Sequence, residues 1–587
     1  MSASAPTFLN VEASITGRRW TAPSAEVERL GAAIAQTHDL PEIVGRLLAA
    51  RGIEVEEAAG FLDPTLKYLT PDPSTLADMD KAAAMLADAA TSKTRVAIFG
   101  DYDVDGGSSC ALLVEWLREF NLTPTVYIPD RIDEGYGPNV EAMTTLGKAH
   151  DLLICVDCGT LSHEPISAAQ AAGAQVIVAD HHMAGETLPT AEAVVNPNRH
   201  DDDSGMGHLC AAGVVFLLLI ATNRVLRAKG GPTPDIIRSL DLVALATVAD
   251  VATLSGLNRA FVRQGLRVMA GRGRVGLRAL ADAAGVKSAP SAFHLSFLLG
   301  PRVNAGGRIG KADLGAKLLS TLDAEEAEGL AFELDRLNGE RRRIEAEVLA
   351  AATAQAETRD VEGPLVWAAG EGWHPGVVGI VAARLKEAFN RPAVVIGLDG
   401  DEGKGSARSV EGVDLGAAVA ACTRNGDFLK GGGHRMAAGL TIAADNLEPA
   451  MAALAARLEK DLPTMTAARS LRIDGAISPA AATPELCETV DQAGPFGAGA
   501  PAPRFALPNV RVSFAKPVGE DHLRLTLTDA SGSRIDAIAF RAFQGPLGPF
   551  LSQTGGAQIH IAGRLEIDDW GGRRKAKLRV EDAAPAT

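Results

Sequence analysis

The residues in this chain that could do chemistry sit at the ends of short apolar runs. Asp101, Asp103 and Asp105 occupy alternate positions of "GDYDVDGG", directly after the apolar "VAIF". Asp157 follows "LLICV", Asp180 follows "VIVA" and precedes His181 and His182, and Asp250 closes the helical pattern "VALATVAD". Three like charges within five residues repel one another unless a cation sits among them. In an extended segment alternate side chains point to one side, so the three carboxylates could face one site together. Carboxylates mixed with imidazoles suit Mn2+ or Mg2+ and lack the thiolates of a structural zinc site. Taken singly, each residue has a plainer reading. An Asp after a strand is commonly a turn or a helix N-cap, and a His-His pair is commonly a satisfied polar pair in a loop. Several acids and two histidines at successive strand ends are hard to account for without metal.

The elements that must position them are readable from Arg95 onward. Candidate strands "RVAIFG", "TPTVYIP", "DLLICVD", "AQVIVAD" and "AEAVVN" alternate with helical "SCALLVEWLREF" and "EPISAAQAAG". This alternation predicts an α/β fold with a doubly wound, mostly parallel sheet. In such a sheet ligands bind beyond the carboxyl ends of the strands, so the acids should converge on one crevice. Two long apolar helical segments follow, "AAGVVFLLLIATNRVLRA" and "PDIIRSLDLVALATVAD". Thr222, Asn223 and Arg224 interrupt the first, which fits a buried core helix better than a membrane span. "FELDRLNGERRRIEAEVLAAATAQAE" reads as a long exposed connector helix, and a second α/β unit begins at "PLVWAAGEGWHPG".

Beyond about Ala467, "VRVSFAKPV", "HLRLTLTDASGSRIDAIAF" and "AQIHIAGRLEI" predict a small antiparallel β-barrel or sandwich, with an OB-like fold expected. The N-terminal stretch has a helical segment near Leu40 to Ala50, and "IEVEEAAGFLDP" reads as a helix ended by proline. The expected domains are an N-terminal cap region without chemistry of its own (1–75), a catalytic domain (80–325), the connector helix (326–360), a substrate-binding domain (361–462) and the barrel (467–587).

Composition narrows the function classes. The 587 residues suit about three to four domains of ~150 residues. The six cysteines are scattered, which suits a reduced, cytoplasmic chain without a disulfide framework. Cys155 and Cys158 have no second pair and read as ordinary small residues. "MSASAPTFLN" lacks the basic start and apolar core of a secretory signal, and no membrane association is expected. A net charge of −16 argues against a general polyanion binder, though not against a channel with local positive charge.

"GDYDVDG", "CVDCGT", "VADHHMAGETLP" and "VALATVADV" resemble the four motifs of the DHH phosphoesterase superfamily, and "KGSARS" and "GGGHRMAAG" resemble its companion DHHA1 domain. With "GPRVNAGGRIG" and the terminal barrel, the chain is similar to the superfamily's branch of bacterial single-strand-specific DNA exonucleases. The departures ("DGGSS", "VDCG" and Arg435 in "GGGHRMAAG") remove no candidate ligand. The resemblance implies two divalent ions, Mn2+ or Mg2+. Asp103 would ligate one and Asp105, His181 and Asp250 the other. Asp157 would bridge them, and Asp101 would support the first site. His182 would act on the phosphate or orient a ligand, and Asp180 would fix a histidine tautomer.

For substrate grip, Lys404, Ser406, Arg408 and His434 supply donors beside glycines that let a backbone approach phosphate. Tight turns in a packed domain explain the same residues, and the resemblance makes them the wall that holds the scissile nucleotide. Arg302, Asn304 and Arg308 are candidates for backbone or terminal phosphates. In the barrel Arg564, Trp570, Arg573, Arg574, Lys575, Lys577 and Arg579 place one aromatic among cations, which fits single-strand tracking better than surface solubility. The resemblance implies 5′→3′ hydrolysis of single-stranded DNA to mononucleotides in repair and recombination. It makes a single-strand-binding protein and a helicase candidate partners, and the chain is expected to be a monomer. Two rival readings are a phosphatase of short oligonucleotides or nucleotide phosphates, which would not need the barrel, and a non-catalytic scaffold, which would not keep a full ligand set.

Overall fold

The structure, a computed structural model, describes all residues except 1–6, 131–133, 136, 360, 464–468, 569–573 and 587. Packing divides the chain into two compact units. One joins Met1–Leu69, Thr253–Ala260 and Ala468–Thr587, and the other joins Thr70–Ala252 and Phe261–Ala467. The first unit opens with a short strand β1 (Arg19–Thr21) and two packed helices, Ala25–Thr37 and Glu42–Ala49. The helix expected over "IEVEEAAGFLDP" is confined to Ala58–Leu62. Ahead of it, the Glu54 N–H donates to Glu57 Oε2 at 3.1 Å, a local bond that competes with helix formation.

In the second unit β2 (Val96–Gly100), β3 (Thr125–Tyr127), β4 (Leu152–Val156), β5 (Gln175–Ala179) and β6 (Ala193–Val195) form one sheet in the order β3-β2-β4-β5-β6. Every pairing is parallel. β2 and β4 are buried at every position, as their unbroken apolar runs require. The chain reverses its direction of travel across the sheet between β2 and β4, which is where such sheets open a ligand crevice. Helix Val104–Arg118 rises directly from β2. A Cβ on Gly100 would clash with Cys110 Sγ, so this close approach of strand and helix needs glycine.

Helix Ala211–Ala228 is long and apolar enough to cross a membrane by length and composition, but 72% of it is buried inside the molecule. It is a core helix, pinned where Trp116 Nε1 donates to Asn223 Oδ1 at 3.0 Å. Helix Leu240–Ala249 follows, then a π-helical turn Leu295–Leu299 that runs into helix Gly300–Ile309. The connector helix spans Ala324–Glu357. It is not exposed all round: Ala327, Ala331, Leu334, Leu337, Val348, Ala352 and Ala356 are buried along it. Its start packs on helix Gly300–Ile309 and its end on helix Pro375–Phe389.

The second sheet holds β7 (Val366–Glu371), β8 (Ala393–Asp399), β9 (Glu402–Arg408), β10 (Lys430–His434) and β11 (Ala437–Ala443) in the order β10-β11-β9-β8-β7. Only β7 and β8 pair in parallel there.

The chain then returns to the first unit. β12 (Ser470–Arg472) pairs with β1 in parallel. β13 (Gly475–Ala476), β14 (Phe505–Val518), β15 (His522–Thr528), β16 (Arg534–Ala539), β17 (Ile559–Asp568) and β18 (Lys575–Pro585) complete the chain. Strands β14-β15-β16-β18-β17 close through β14–β17 into a five-stranded barrel. Helix Leu547–Ser552 lies between β16 and β17 in the chain. The expected antiparallel pattern holds except between β16 and β18, which are parallel. A last strand inserted beside the third is what closes an OB-type barrel of this order.

Candidate metal centre

The carboxyl ends of β2, β4 and β5 bring the acids together. Asp101 leaves β2 and is buried. Asp103 is the N-cap of helix Val104–Arg118, its Oδ1 accepting from the Asp105 N–H at 2.8 Å and the Gly106 N–H at 3.1 Å. Asp105 therefore lies in the first helical turn, not in an extended segment as alternation alone suggested. Its convergence comes from capping geometry, and its two oxygens accept from the Ala211 and Ala212 N–H groups at 2.6 and 2.8 Å, where helix Ala211–Ala228 begins. Asp157 leaves β4 with φ of +59°, a left-handed conformation that a short polar side chain tolerates.

Three triads of ligand atoms lie mutually within 4.8 Å: Asp105, His181 and Asp250; Asp101, Asp103 and Asp157; and Asp157, His181 and His182. His181 links them, its Nε2 lying 3.3 Å from Asp157 Oδ1, 3.7 Å from Asp105 Oδ2 and 4.0 Å from Asp250 Oδ2. Asp180 holds the histidine loop. Its Oδ1 accepts from the His181 N–H at 2.7 Å and from His182 Nδ1 at 2.8 Å, and its Oδ2 accepts from the Thr160 N–H at 3.1 Å. With Nδ1 donating to a carboxylate, the His182 tautomer leaves Nε2 for other work.

The electrostatics test whether this set suits a cation. Burial, then Asp105, Asp103 and Asp101, push Asp157 well above the usual carboxylate range. Burial, then Asp105 and Asp103, push Asp250 up to about 8. Burial also raises Asp105, opposed by His181. Buried Asp105 and Asp157 and the half-buried Asp250 are each reluctant to ionise beside the other acids, and a divalent cation would relieve that repulsion. Asp180 behaves differently. Burial alone would raise it, but the bonds from His182 and Thr160 hold it well below the usual range. Burial disfavours a charged His182, yet the bond to Asp180 pushes it up to about 9. The donors are oxygens and imidazole nitrogens, so the set fits Mn2+ or Mg2+. Cys158 and Cys210 nearby are buried, and burial pushes both thiols well up.

Sequence reasoning missed Asn196 and Asn198, which follow β6 in "VVNPNRH". Asn196 Nδ2 donates to Thr160 Oγ1 and to the His182 carbonyl, both at 2.8 Å, and Asn198 Nδ2 donates to the His181 carbonyl at 2.6 Å. They fix the backbone of both histidines. The strand-end rule that found the acids would have found them, had it admitted amides.

The proposed grip residues divide. Arg302 donates from Nε to Asp335 Oδ1 and from Nη1 to the Leu298 carbonyl, both at 2.8 Å, which ties it to the connector helix. Asn304 Oδ1 accepts from the Val104 N–H at 2.9 Å, so it caps the loop that carries Asp103 and Asp105. Arg308 Nη1 donates to the Gly376 carbonyl at 3.0 Å. All three hold protein to protein in the positions found. Lys404, Ser406 and Arg408 alternate along β9 on one face, with Arg408 Nη1 donating to Ser406 Oγ at 3.0 Å beside Gly379 of helix Pro375–Phe389. His434 ends β10 and is exposed. In the barrel Arg564 pairs with Glu581 at 2.7 Å, Arg579 with Glu566 at 3.5 Å, Lys577 with Asp568 at 3.7 Å, and Arg574 with Glu488. The cationic strip is thus largely matched by acids. Trp570 and Arg573 lie outside the described residues.

Three family models match in order: the DHH family N-terminal domain over residues 95–247, the DHHA1 domain over 362–460 and the RecJ OB domain over 473–582. The single-stranded-DNA-specific exonuclease RecJ of Escherichia coli (strain K12) is 35% identical over 566 residues, covering 93% of this chain and 96% of that protein. The Bacillus subtilis (strain 168) protein of the same name is 32% identical over 573 residues, covering 96% and 71%. The crystal structure of RecJ from Thermus thermophilus in complex with Mn2+ superposes with a TM-score of 0.77 at 31% identity, covering 96% of this chain and 79% of that one. A Mg2+ complex of the Thermus protein gives 0.73 at 29% identity, covering 96% and 78%. With the three domains in order and this identity along almost the whole of both chains, the protein belongs to the RecJ family of single-stranded-DNA-specific exonucleases.

Proposed function

We propose that this protein is a two-metal exonuclease that hydrolyses single-stranded DNA in the 5′→3′ direction, releasing mononucleotides, in DNA repair and recombination. The observation that carries the reading is the adjoining pair of triads, Asp105/His181/Asp250 and Asp101/Asp103/Asp157, at the switch point of the sheet in a chain of this family. Each triad would hold one Mn2+ or Mg2+, with Asp157 shared. Such a pair, when bound, supplies an activated water and neutralises charge on the phosphorus oxygens and the leaving group. The chain's own residues do the rest. Asp180 accepts from the His182 Nδ1–H and favours the doubly protonated ring, whose Nε2–H can donate to a phosphate oxygen. The first N–H groups of helix Val104–Arg118 favour an anion over the crevice. The barrel supports a single-strand grip. Polarity, the repair role, monomeric state, a cytoplasmic location and candidate partners in a single-strand-binding protein and a helicase are part of the proposal, carried over from the family resemblance.

The test is a strand labelled at either end, single or double, incubated with Mn2+. Mononucleotides released from the 5′ end of the single strand support the reading, and excess chelator should abolish them. Asp157→Ala should lower turnover by about two orders of magnitude or more while the protein stays folded. Substantial hydrolysis in chelator would overturn the metal mechanism. Release from the 3′ end would overturn the polarity alone.

A further inference from the structure

Asp105 and Asp250 belong to one ligand triad and stand on two helices whose far ends are tied by a single arginine. Arg274 donates from Nε to Asp241 Oδ2 and from Nη2 to Glu115 Oε2, both at 2.9 Å, and from Nη1 to the Leu319 carbonyl at 3.3 Å. Asp241 lies in the first turn of helix Leu240–Ala249, and Glu115 lies near the end of helix Val104–Arg118. At ~1.5 Å per residue, these acids sit about 13–15 Å along their helices from Asp250 and Asp105. The side chains of Arg274 and Asp241 are only 10% and 3% exposed. No step of the proposed hydrolysis uses them.

Arg274 and Asp241 line a cavity of about 260 Å³, close to the low end of the ~300–1,000 Å³ usual for small-molecule sites. Buried Met269, Leu277 and Leu299 give it an apolar floor. Arg272, Arg278 and Lys287 line it as well. Arg272 pairs with Asp282 at 2.6 Å, an exposed pair of little worth that a bound anion can displace. Arg278 and Lys287 are exposed, and neither has an ion-pair partner among the described residues. Four cations against one acid, in a chain of net charge −16, make a local positive field. An apolar floor beneath cations fits a ligand with one dianionic end and one flat, weakly polar end. A nucleoside monophosphate has that form. On the nuclease reading, on which this inference rests, the metal centre releases one at every turnover. Inorganic phosphate would satisfy the cations and leave the apolar floor wet.

We propose that this cavity binds a nucleoside monophosphate, phosphate on its cations and base on its apolar floor, and that its occupancy is felt at the metal centre through Arg274. A guanidinium has five N–H groups, and Arg274 uses three of them on Asp241, Glu115 and the Leu319 carbonyl. A phosphate dianion in the cavity competes with Asp241 and Glu115 for that guanidinium. Any bond it draws away loosens a helix that carries a metal ligand. Bound product therefore lowers Mn2+ affinity, and by linkage Mn2+ lowers product affinity by the same factor.

The first experiment titrates dAMP into the full chain in excess chelator, which keeps metal from the metal centre, and follows binding by calorimetry. Arg278→Ala/Lys287→Ala changes two exposed side chains and should weaken dAMP binding about 10-fold or more, as loss of charge-assisted bonds requires. Inorganic phosphate should bind the parent about 10-fold more weakly than dAMP, because it covers no apolar surface. Equal affinity of parent and variant for dAMP would overturn the site, and phosphate that binds as tightly as dAMP would overturn the nucleotide assignment. A long single strand that binds the variant less well, with dAMP binding unchanged, would also overturn it, since the cations would then belong to the strand's path. The second experiment measures Mn2+ affinity with and without saturating dAMP. It should fall about 5-fold or more in the parent. It should change far less in the variant, which corrects for Mn2+ held by the nucleotide in solution and whose turnover without added nucleotide should match the parent's. The same shift in both proteins would overturn the coupling. A protein that binds dAMP here but never cuts single strands would defeat the nuclease reading and leave the site standing.

Discussion

Asn304 shows how a residue's type can be legible while its role is not. Its position in "GPRVNAGGRIG" suggested a phosphate contact, but its oxygen accepts from the amide between Asp103 and Asp105. Asn304→Ala leaves that N–H without this acceptor, a cost of about 1–3 kcal/mol, and loosens two carboxylates at once. Mn2+ affinity should then fall about 10-fold or more, as for other groups that orient ligands, while KM for single-stranded DNA changes little. Calorimetric titration with Mn2+ and a separate kcat and KM measurement check this. A raised KM with unchanged metal affinity would restore the substrate-contact role. Asp180→Asn makes the matching case on the histidine side. An amide oxygen can still accept from the His181 N–H, but the amide NH2 then faces the Thr160 N–H and that bond is lost. The charge that holds His182 protonated at Nδ1 is lost, and turnover should drop about 10–100-fold. The acids were readable because like charges at strand ends demand an explanation. Asp105 was placed wrongly because a side-chain cap by Asp103, invisible to an alternation rule, starts the helix at Val104, five residues ahead of the expected Ser109.

Helix Gly300–Ile309 joins what the sequence presents as separate parts. It touches Tyr102 and Val104 on one side and is held to the connector helix through Arg302 and Asp335. At its end, a Cβ on Gly376 would clash with the Arg308 carbonyl, where helix Pro375–Phe389 begins. A carbonyl in a helix cannot yield as a side-chain tip can. Gly376→Ala should therefore destabilise by about 1–3 kcal/mol and lower Mn2+ affinity through the helix that carries Asn304. Gly329→Ala in the connector helix is the contrasting case, since nothing lies within 4 Å of its added Cβ. It should stabilise by about 0.5–1 kcal/mol, the ordinary gain of Ala over Gly inside a helix. Thermal midpoints of the two variants should move in opposite directions. The connector helix was legible from its run of Ala, Glu, Leu and Arg. Its buried stripe was not, because alanines at Ala327, Ala331, Ala352 and Ala356 look the same on a wet or a dry face. The π turn has no sequence signature at all.

At the scale of the molecule, the first 69 residues share a unit with the barrel, although almost 400 residues separate them in the chain. Trp20 is fully buried with its Nε1 donating to Asp582 Oδ2 at 3.0 Å, among Leu471, Ile473, Ala506 and Ala584. Buried Arg259 belongs to the same unit, its guanidinium donating to the Phe61, Ala493, Gly494 and Pro495 carbonyls. No local pattern can announce such partners, so the N-terminal stretch reads from sequence as a region apart. Cutting the chain after Leu462 would strip Trp20 and Arg259 of their surroundings and confuse lost grip with lost folding. Point changes on the barrel surface avoid that. Adjacent strands place Lys516, Arg524, Ile538 and Arg579 in one cross-strand row, with the Arg579 guanidinium 5.2 Å from the Phe540 ring centroid. Lys516 and Arg524 are exposed, whereas the cations first singled out near the last strand are mostly acid-paired. If the barrel grips DNA along this row, Lys516→Ala/Arg524→Ala should weaken binding of a long single strand and lower the salt slope by about 0.7 per lost phosphate contact. A dinucleotide, which the metal centre can hold by itself, should be cut at a rate that changes far less. Binding and salt slope that match the parent would remove this row from the DNA path and favour a role for the barrel in docking protein.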